Sequence, residues 1–195
     1  INMGKSITYG DLDRLSRDFA GYLLGELKLK KGDRVAIMMP NCLQYPIAIL
    51  GVLRAGLTVV NTNPMYTARE LKHQLVDSGA VAMLVLDNFG HTVQQVIAES
   101  QLRHVITTGL GDMLGGATGL LVNFVLKHVK KMVPDYHLDG AVRFNQALKR
   151  GAAHALPEVD IGLDDIAFLQ YTGGTTGVAK GAMLSHRNLV ANMQQ

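Results

Sequence analysis

Short apolar runs separated by helix-patterned stretches constrain this chain more than any other feature. Val35-Ala36-Ile37-Met38-Met39 is one such run, stopped by Pro40. Leu57 to Val60, Val81 to Leu86, Val105 to Thr108 and Asp165-Ile166-Ala167-Phe168-Leu169-Gln170 read as further strands. A strand with one wet face alternates apolar and polar residues, whereas a strand that is apolar throughout is covered on both sides. Between the runs lie helices. Thr8-Tyr9-Gly10-Asp11 has the form of a capping box, followed by Leu12, Leu15, Phe19 and Leu23 at helical spacing. Residues 44–54 form a second helix that ends near Gly56. Thr67-Ala68-Arg69-Glu70 opens a third, with another capping box, and Gly79 follows its end. A fourth covers His91 to Glu99. Strand and helix in this rhythm predict an α/β fold, a parallel sheet with helices on both faces. In such sheets ligands sit at the carboxyl ends of the strands.

The glycine-rich run Tyr171-Thr172-Gly173-Gly174-Thr175-Thr176-Gly177-Val178-Ala179-Lys180-Gly181 falls at one such end. It holds four glycines, three threonines and one lysine. The strand before it ends at Gln170, and Ser185-His186-Arg187-Asn188-Leu189 after it reads as a helix start. Glycines let backbone N–H groups approach a ligand and point at it. Hydroxyls and an ammonium add donors, and an anion gains most from donors that are charged or already aimed. The chemistry on offer is a cradle for a polyphosphate. It is not a Walker A loop, because Ala179 lies five positions after Gly174 and Lys180 precedes Gly181 rather than Ser or Thr. It also lacks the spacing of a dinucleotide-binding fingerprint. A plain strand-to-helix turn remains an alternative, although a turn needs neither the lysine nor the hydroxyls.

Residues 109–163 break the rhythm. Gly109-Leu110-Gly111-Asp112 imitates half of a dinucleotide motif, but Leu114 stands where the third glycine belongs, so it is discounted. Leu120 to Val133 winds as a helix with Leu121, Val125, Val129 and Met132 on one side and Lys127, Lys130 and Lys131 on the other. Such a helix can lie in a membrane interface with its lysines on anionic headgroups. It can equally pack on its own domain, and both readings stay open.

The 195 residues, 48% apolar and 18% charged, suffice for one globular domain with a sizeable core. A net charge of +3, spread along the chain, argues against a nucleic-acid partner. Cys42 is the single cysteine; it excludes an internal disulfide, and with no paired His/Cys spacing a structural zinc site is not expected. Its place in an apolar helix assigns it to packing, and a reducing compartment fits. No apolar run reaches the roughly 20 residues of a spanning helix and no signal peptide is visible. The last residues, Leu189 to Gln195, are still helix-patterned, so the chain is expected to be a piece of a longer one.

The order of residues in the glycine-rich run resembles the phosphate-binding motif of the adenylate-forming superfamily: acyl-CoA synthetases, luciferases and peptide-synthetase adenylation domains. The resemblance covers essentially the whole chain. Ile7-Thr8-Tyr9-Gly10-Asp11-Leu12, Lys31-Gly32-Asp33-Arg34-Val35-Ala36 and Leu53-Arg54-Ala55-Gly56 leading to Asn61-Thr62-Asn63-Pro64 resemble further motifs of that superfamily. Asn63-Pro64-Met65-Tyr66-Thr67 with Arg69-Glu70-Leu71 looks like its acyl-CoA ligases. Val122-Asn123-Phe124-Val125 and Val133-Pro134-Asp135-Tyr136-His137-Leu138 are similar to bacterial long-chain fatty-acid–CoA ligases.

The resemblance implies a partial N-terminal domain of the adenylate-forming fold, Rossmann-like. It divides into an α/β lobe (1–108), an insertion with the amphipathic helix (109–163) and a phosphate-loop strand-turn-helix (164–195). It implies a ligase that joins a fatty acid to coenzyme A through an acyl-adenylate, releasing AMP and pyrophosphate. ATP, fatty acid and coenzyme A would be its small-molecule partners and Mg²⁺ its cofactor. By the same carry-over, Tyr171, Thr172, Gly173, Gly174, Thr175, Thr176, Gly177, Val178, Ala179, Lys180, Gly181 and Ala182 would bind ATP phosphates. Lys180 would neutralise the leaving pyrophosphate. Thr172 is either a Mg²⁺ ligand or a turn-stabilising hydroxyl. Gly173 replaces the Ser or Thr of many relatives and Ala179 their Pro, which removes a donor and a stiffener. His186, at a helix start, reads as a capping or packing residue before a catalytic one, and the other six histidines have no assigned role. The adenine pocket, an acidic magnesium ligand and the C-terminal catalytic lysine would lie downstream of Gln195, so the fragment alone is expected to be inactive. The implied location is cytoplasmic, with peripheral inner-membrane contact through 120–133 and a homodimer as further options. The alternatives are another acid–CoA ligase or adenylating enzyme, and a non-catalytic truncated membrane-associated binding module.

Overall fold

Thr8 and Thr67 start their helices as the sequence pattern requires. The Thr8 hydroxyl accepts from the Asp11 backbone N–H at 3.0 Å, and the Asp11 carboxylate accepts from the Thr8 N–H at 3.1 Å. Thr67 and Glu70 repeat this exchange at 3.4 and 2.8 Å. Two donors that a helix start leaves without partners are thereby satisfied at each site. The computed structural model describes residues 1–172 and 179–195. Helix α1 (Tyr9–Gly21) runs on through a wide i→i+5 turn at Tyr22–Glu26. There follow β1 (Arg34–Met38), α2 (Gln44–Arg54), β2 (Thr58–Asn61), α3 (Ala68–Ser78), β3 (Ala82–Leu86), α4 (Gly90–Val96) and β4 (His104–Thr108). Then come α5 (Gly116–Phe124), β5 (Val142–Arg143), α6 (Phe144–Gly151), β6 (Ile166–Thr172), β7 (Lys180–Ser185) and α7 (His186–Gln194).

Among the described residues the strands make one seven-stranded sheet in the order β5-β4-β3-β1-β2-β6-β7. All neighbours are parallel except β6 and β7. Helices cover both faces. Along β1, Val35 and Ile37 point into one cluster with Phe19, Ile47 and Phe144, which belong to α1, α2 and α6. Ala36 and Met38 point into another with Leu71, Leu75 and Val93 of α3 and α4. The period of two places successive side chains on opposite faces, and with helices on both sides each residue of such a strand must be apolar. The expected fold class is therefore observed.

Three departures stand out within 109–195. First, β5 and α6 were not anticipated there. β5 joins the sheet beside β4, with Ile106 opposite Val142, and α6 buries Phe144, Ala147 and Leu148. The Phe19 and Phe144 rings meet edge-on, centroids 5.1 Å apart. A side chain at Gly151 would place its Cβ 1.8 Å from the carbonyl oxygen of Asp18, so α1 and α6 meet backbone to backbone there. Second, a strand stands between the glycine-rich run and the last helix, where a direct strand-turn-helix was expected. Lys180-Gly181-Ala182-Met183 lacks the β-branched and aromatic residues that mark strands, and β7 forms because β6 offers it an edge. Third, the expected 120–133 helix starts earlier, at Gly116, and gives way at Phe124 to an i→i+5 turn over Val125–Val129. Among the described residues no helix is long and apolar enough to cross a membrane.

Candidate active site at the carboxyl edge of the sheet

β6 carries Tyr171 and Thr172 to the carboxyl edge of the parallel strands, and β7 starts back from it at Lys180. The register pairs Thr172 with Lys180, Tyr171 with Gly181 and Gln170 with Ala182. Antiparallel pairing thus fixes both ends of the glycine-rich run at one place. Thr172, Lys180 and Ala182 are exposed, Ala179 and Gly181 are half-buried, and Tyr171 is buried. Gly173, Gly174, Thr175, Thr176, Gly177 and Val178 of the expected phosphate cradle lie outside the described residues. Gly181 has a steric reason to be glycine: a Cβ there would stand 3.0 Å from the Tyr171 ring.

Beside these ends opens a cleft of about 960 Å³. The carboxyl ends of β1, β2 and β6 form one wall, through Met39, Asn61 and Gln170, and α3 forms another, through Arg69, His73 and Gln74. Its floor is a chain of polar groups. The Tyr45 hydroxyl donates to Asn61 Oδ1 at 3.0 Å, Asn61 Nδ2 donates to Gln170 Oε1 at 2.8 Å, and Gln74 Nε2 donates to the Asn61 carbonyl at 2.8 Å. Gln74 is buried, and its Oε1 has no hydrogen-bond partner among the described residues. Burial raises the pKa of Tyr45 and Tyr66, so both line the cleft as neutral phenols. The Glu70 carboxyl is held below its ordinary value by the Thr67 hydroxyl and N–H, and so stays anionic in the cap.

Helix α3 holds both ends of the run. The Tyr171 hydroxyl donates to Asp77 Oδ2 at 2.5 Å. Burial, then that carboxylate, raises the Tyr171 pKa, so the phenol remains a donor at any working pH. One turn earlier, His73 Nε2 lies 3.1 Å from the Ala179 carbonyl oxygen. A carbonyl accepts only, so this nitrogen carries the proton. The sequence reading left His73, Gln74 and Asp77 out of the site. No local pattern marks them; the partners of His73 and Asp77 lie about a hundred residues further on in the chain, and Gln74 reaches back to the end of β2.

A second polar cluster sits at the carboxyl ends of β3, β4 and β5. Arg143 donates to Asp87 at 2.6 Å and to Asp112 at 2.8 Å, and the Tyr136 hydroxyl donates to Asp87 at 2.7 Å. Burial alone would lower the Arg143 pKa, and the two carboxylates outweigh it, so its charge is fixed. This network is closed on itself and ties 109–143 to the sheet. The Gly109-Leu110-Gly111-Asp112 turn belongs to it. The Gly109 N–H goes to Asp112 and the Gly111 N–H to Asn123, both at 2.8 Å, so these donors are not available to a phosphate.

His186 opens α7, whose cap is Ser185 bonded to Asn188. It stands at the start of β6, since Ile166 pairs with Ser185. The length of that strand, about 20 Å, separates it from Thr172, and it takes no part in this site. Cys42 is buried with its thiol pKa raised by that burial, and packs on Met39 with sulfurs 3.7 Å apart. Among the described residues no group of three or more His, Cys, Asp or Glu side chains is placed to hold a metal.

A parallel α/β sheet with a glycine- and threonine-rich connection and an open cleft at its carboxyl edge defines a nucleotide-binding class of fold. Residues 1–195 match the family model for the AMP-binding enzyme, and the chain belongs to that family. It is 55% identical over 195 residues to a long-chain-fatty-acid–CoA ligase of Salmonella typhimurium, and 56% identical to one of Yersinia pestis. Each alignment takes in 100% of this chain and 35% of the relative, so the chain spans about a third of their length. A Bacillus subtilis ligase of the same description is 37% identical over 98% of the chain and 34% of that relative. Among solved structures, a long-chain-fatty-acid–CoA ligase from Archaeoglobus fulgidus superimposes with a TM-score of 0.74 at 24% identity, covering 99% of this chain and 33% of that one. A benzoate CoA ligase from Burkholderia xenovorans gives 0.74 at 24%, covering 100% and 32%. At that identity the two structures establish the shared fold.

Proposed function

We propose that this chain is the front part of a long-chain fatty acid–CoA ligase that works in two steps. The fatty-acid carboxylate attacks the α-phosphate of ATP, giving acyl-adenylate and pyrophosphate. The thiol of coenzyme A then attacks the acyl carbon and displaces AMP. The observation that carries the reading is Thr172 held opposite Lys180 next to Tyr171 and Ala179, which line the cleft, in a chain more than half identical to ligases of that name. The residues from Tyr171 to Ala182 would hold the phosphates, with Lys180 beside the leaving pyrophosphate. The first step asks for little covalent chemistry from the protein, so positioning and charge stabilisation dominate.

The donor set fits Mg²⁺ arriving with ATP. Magnesium keeps several waters and takes one or two protein oxygens besides phosphate; the exposed Thr172 hydroxyl would supply one such oxygen. Bound there, the ion would neutralise phosphate charge. ATP–pyrophosphate exchange by the full-length protein, run over fatty acids of increasing chain length, tests the reading. Exchange that rises with chain length supports it; none with any carboxylic acid refutes it. A polypeptide limited to residues 1–195 is expected to make no acyl-CoA from oleate, ATP and coenzyme A, and turnover by it would refute that part.

The same reading gives the protein a cytoplasmic location with peripheral contact at the inner membrane through residues 120–133. Leu120, Leu121, Phe124, Val129 and Met132 are exposed, and of α5 only Gly119 is buried. Lys127, Lys130 and Lys131 stand in the same stretch, and residues 116–134 hold no Asp or Glu. Apolar atoms and lysines together suit an anionic lipid interface. Replacing all three lysines with Glu is expected to abolish flotation with anionic liposomes; unchanged flotation would refute the contact.

A further inference from the structure

We propose that α3 acts as a brace for the phosphate loop, with His73 and Asp77 as positioning residues that fix its two ends. The inference rests on the reading that this loop takes the phosphates of ATP.

The two residues are one turn apart, and side chains at that spacing share a helix face. Their partners lie near the two ends of the glycine-rich run: Tyr171 opens it and Ala179 immediately precedes Lys180. Between them Gln74, on the adjoining helical position, donates to the carbonyl of Asn61 at the end of β2. Three consecutive attachments therefore tie α3 to β2, to the entry of the run and to its exit.

The helix is itself well anchored. Leu71 and Leu75 are fully buried on the sheet, the Thr67–Glu70 exchange closes its start, and Lys72 pairs with Glu99 beyond α4. Gly181 completes the clamp, because Cε2 and Cζ of the Tyr171 ring stand 3.0 Å from where its Cβ would be. Tyr171 is thus held from two sides, by Asp77 at its hydroxyl and by β7 at its ring. A charge cradle works only when its donors are aimed before the charge develops, and the bonds to Tyr171 and Ala179 fix where the run leaves β6 and where it enters β7. Loss of His73 or Asp77 should therefore be felt by the nucleotide.

Full-length His73→Leu, His73→Gln, Asp77→Leu and Asp77→Asn proteins separate this role from general structure. The probes are Mg·ATP and pyrophosphate by isothermal titration, with the KM for oleate and the Tm measured alongside. Loss of one neutral hydrogen bond corresponds to a change of roughly 3- to 10-fold, and loss of one to a charged group to about 10- to 150-fold. His73→Leu should weaken both ligands by the first factor and Asp77→Leu by up to the second, with the oleate KM and the Tm unchanged. His73→Gln keeps a donor and Asp77→Asn an acceptor, and both should recover most of the affinity. Equal affinity in the Leu variants overturns the brace. So does a parallel loss of oleate affinity and Tm, or failure of both conservative variants to recover. Wild-type protein that binds ATP but shows no carboxylate-dependent exchange would refute the ligase reading and leave the brace standing; wild type that binds no ATP would refute both.

Discussion

Replacing Gly151 with Ala should damage this fold more than a single methyl suggests. An ideal Cβ at that position falls 1.8 Å from the Asp18 carbonyl oxygen and 2.7 Å from the Tyr22 nitrogen. Ordinary contact needs well over 3 Å, and both obstacles are backbone, which cannot rotate away. α6 must therefore lift from α1 by more than an ångström. The lift opens the packing of Phe144, Ala147 and Leu148, all buried, and parts the Phe19–Phe144 ring pair. Forced overpacking of this kind costs about 1–3 kcal/mol, and more where backbone is the obstacle. Better helix propensity returns less than about 1 kcal/mol. A net loss of about 2–3 kcal/mol follows, or roughly 4–12 °C in Tm for a domain of this size. Gly10, in α1, provides the control: its nearest obstacle is 3.8 Å away and the site is exposed. Gly10→Ala should be neutral or raise Tm slightly. The assay is thermal unfolding followed by far-ultraviolet circular dichroism for both variants and wild type. A Gly151→Ala protein melting within 1 °C of wild type would refute the close crossing of α1 and α6.

Four further outcomes are expected. Lys180→Ala in the full-length protein should lower ATP–pyrophosphate exchange about 10- to 150-fold, the range for one lost charge-assisted hydrogen bond; a change under twofold would remove Lys180 from the phosphates. Gly181→Ala presses on the Tyr171 ring, and the strain should shrink in the Tyr171→Phe background, where the ring is free of Asp77; a double-mutant cycle in urea reads this as coupling of at least about 0.5 kcal/mol, and additive effects would contradict it. Arg143→Leu leaves Asp87 and Asp112, each mostly buried, facing one another, and should cost about 2–3 kcal/mol, less than a fully buried pair because the guanidinium is partly exposed; Asp112→Asn in the same chain should recover part of it, as measured by denaturant midpoint. Burial, then Arg103, holds the His104 pKa below its ordinary 6.5; the unfolded chain therefore binds the proton first as pH falls below about 6.5, and stability declines from there. His104→Asn should flatten the stability slope between pH 7 and pH 5, and an unchanged slope would refute the assignment.

Much of the sheet was legible because its central strands carry a double constraint. Val35-Ala36-Ile37-Met38 meets helices on both faces, so burial alone dictates every residue and the run declares itself. The capping boxes were legible for a different reason: their bonds join residues three apart and need nothing beyond themselves. β7 fails both tests. It is an edge strand with an exposed Met183, and only pairing with β6 makes it a strand. In α6, Phe144, Ala147, Leu148 and Gly151 do recur at helical spacing, but the two-residue β5 before them is too short to restore the rhythm. The glycine-rich run was legible by composition, whereas the residues securing it were not. His73 and Asp77 look like any polar positions on an amphipathic helix, and their roles exist only once β6 lies beside β2.

That late arrival has a bearing on how the chain is made. β2 pairs with β6 across 109 residues, while β1, β3 and β4 follow one another closely. At about 5–20 residues per second of synthesis, the outer edge of β2 waits some 5–20 s for its neighbour. An unpaired edge is an invitation to foreign strands. A nascent chain halted before Ile166 would thus carry a nearly finished sheet, open on one side, with α3 holding out His73 and Asp77 to partners not yet synthesised.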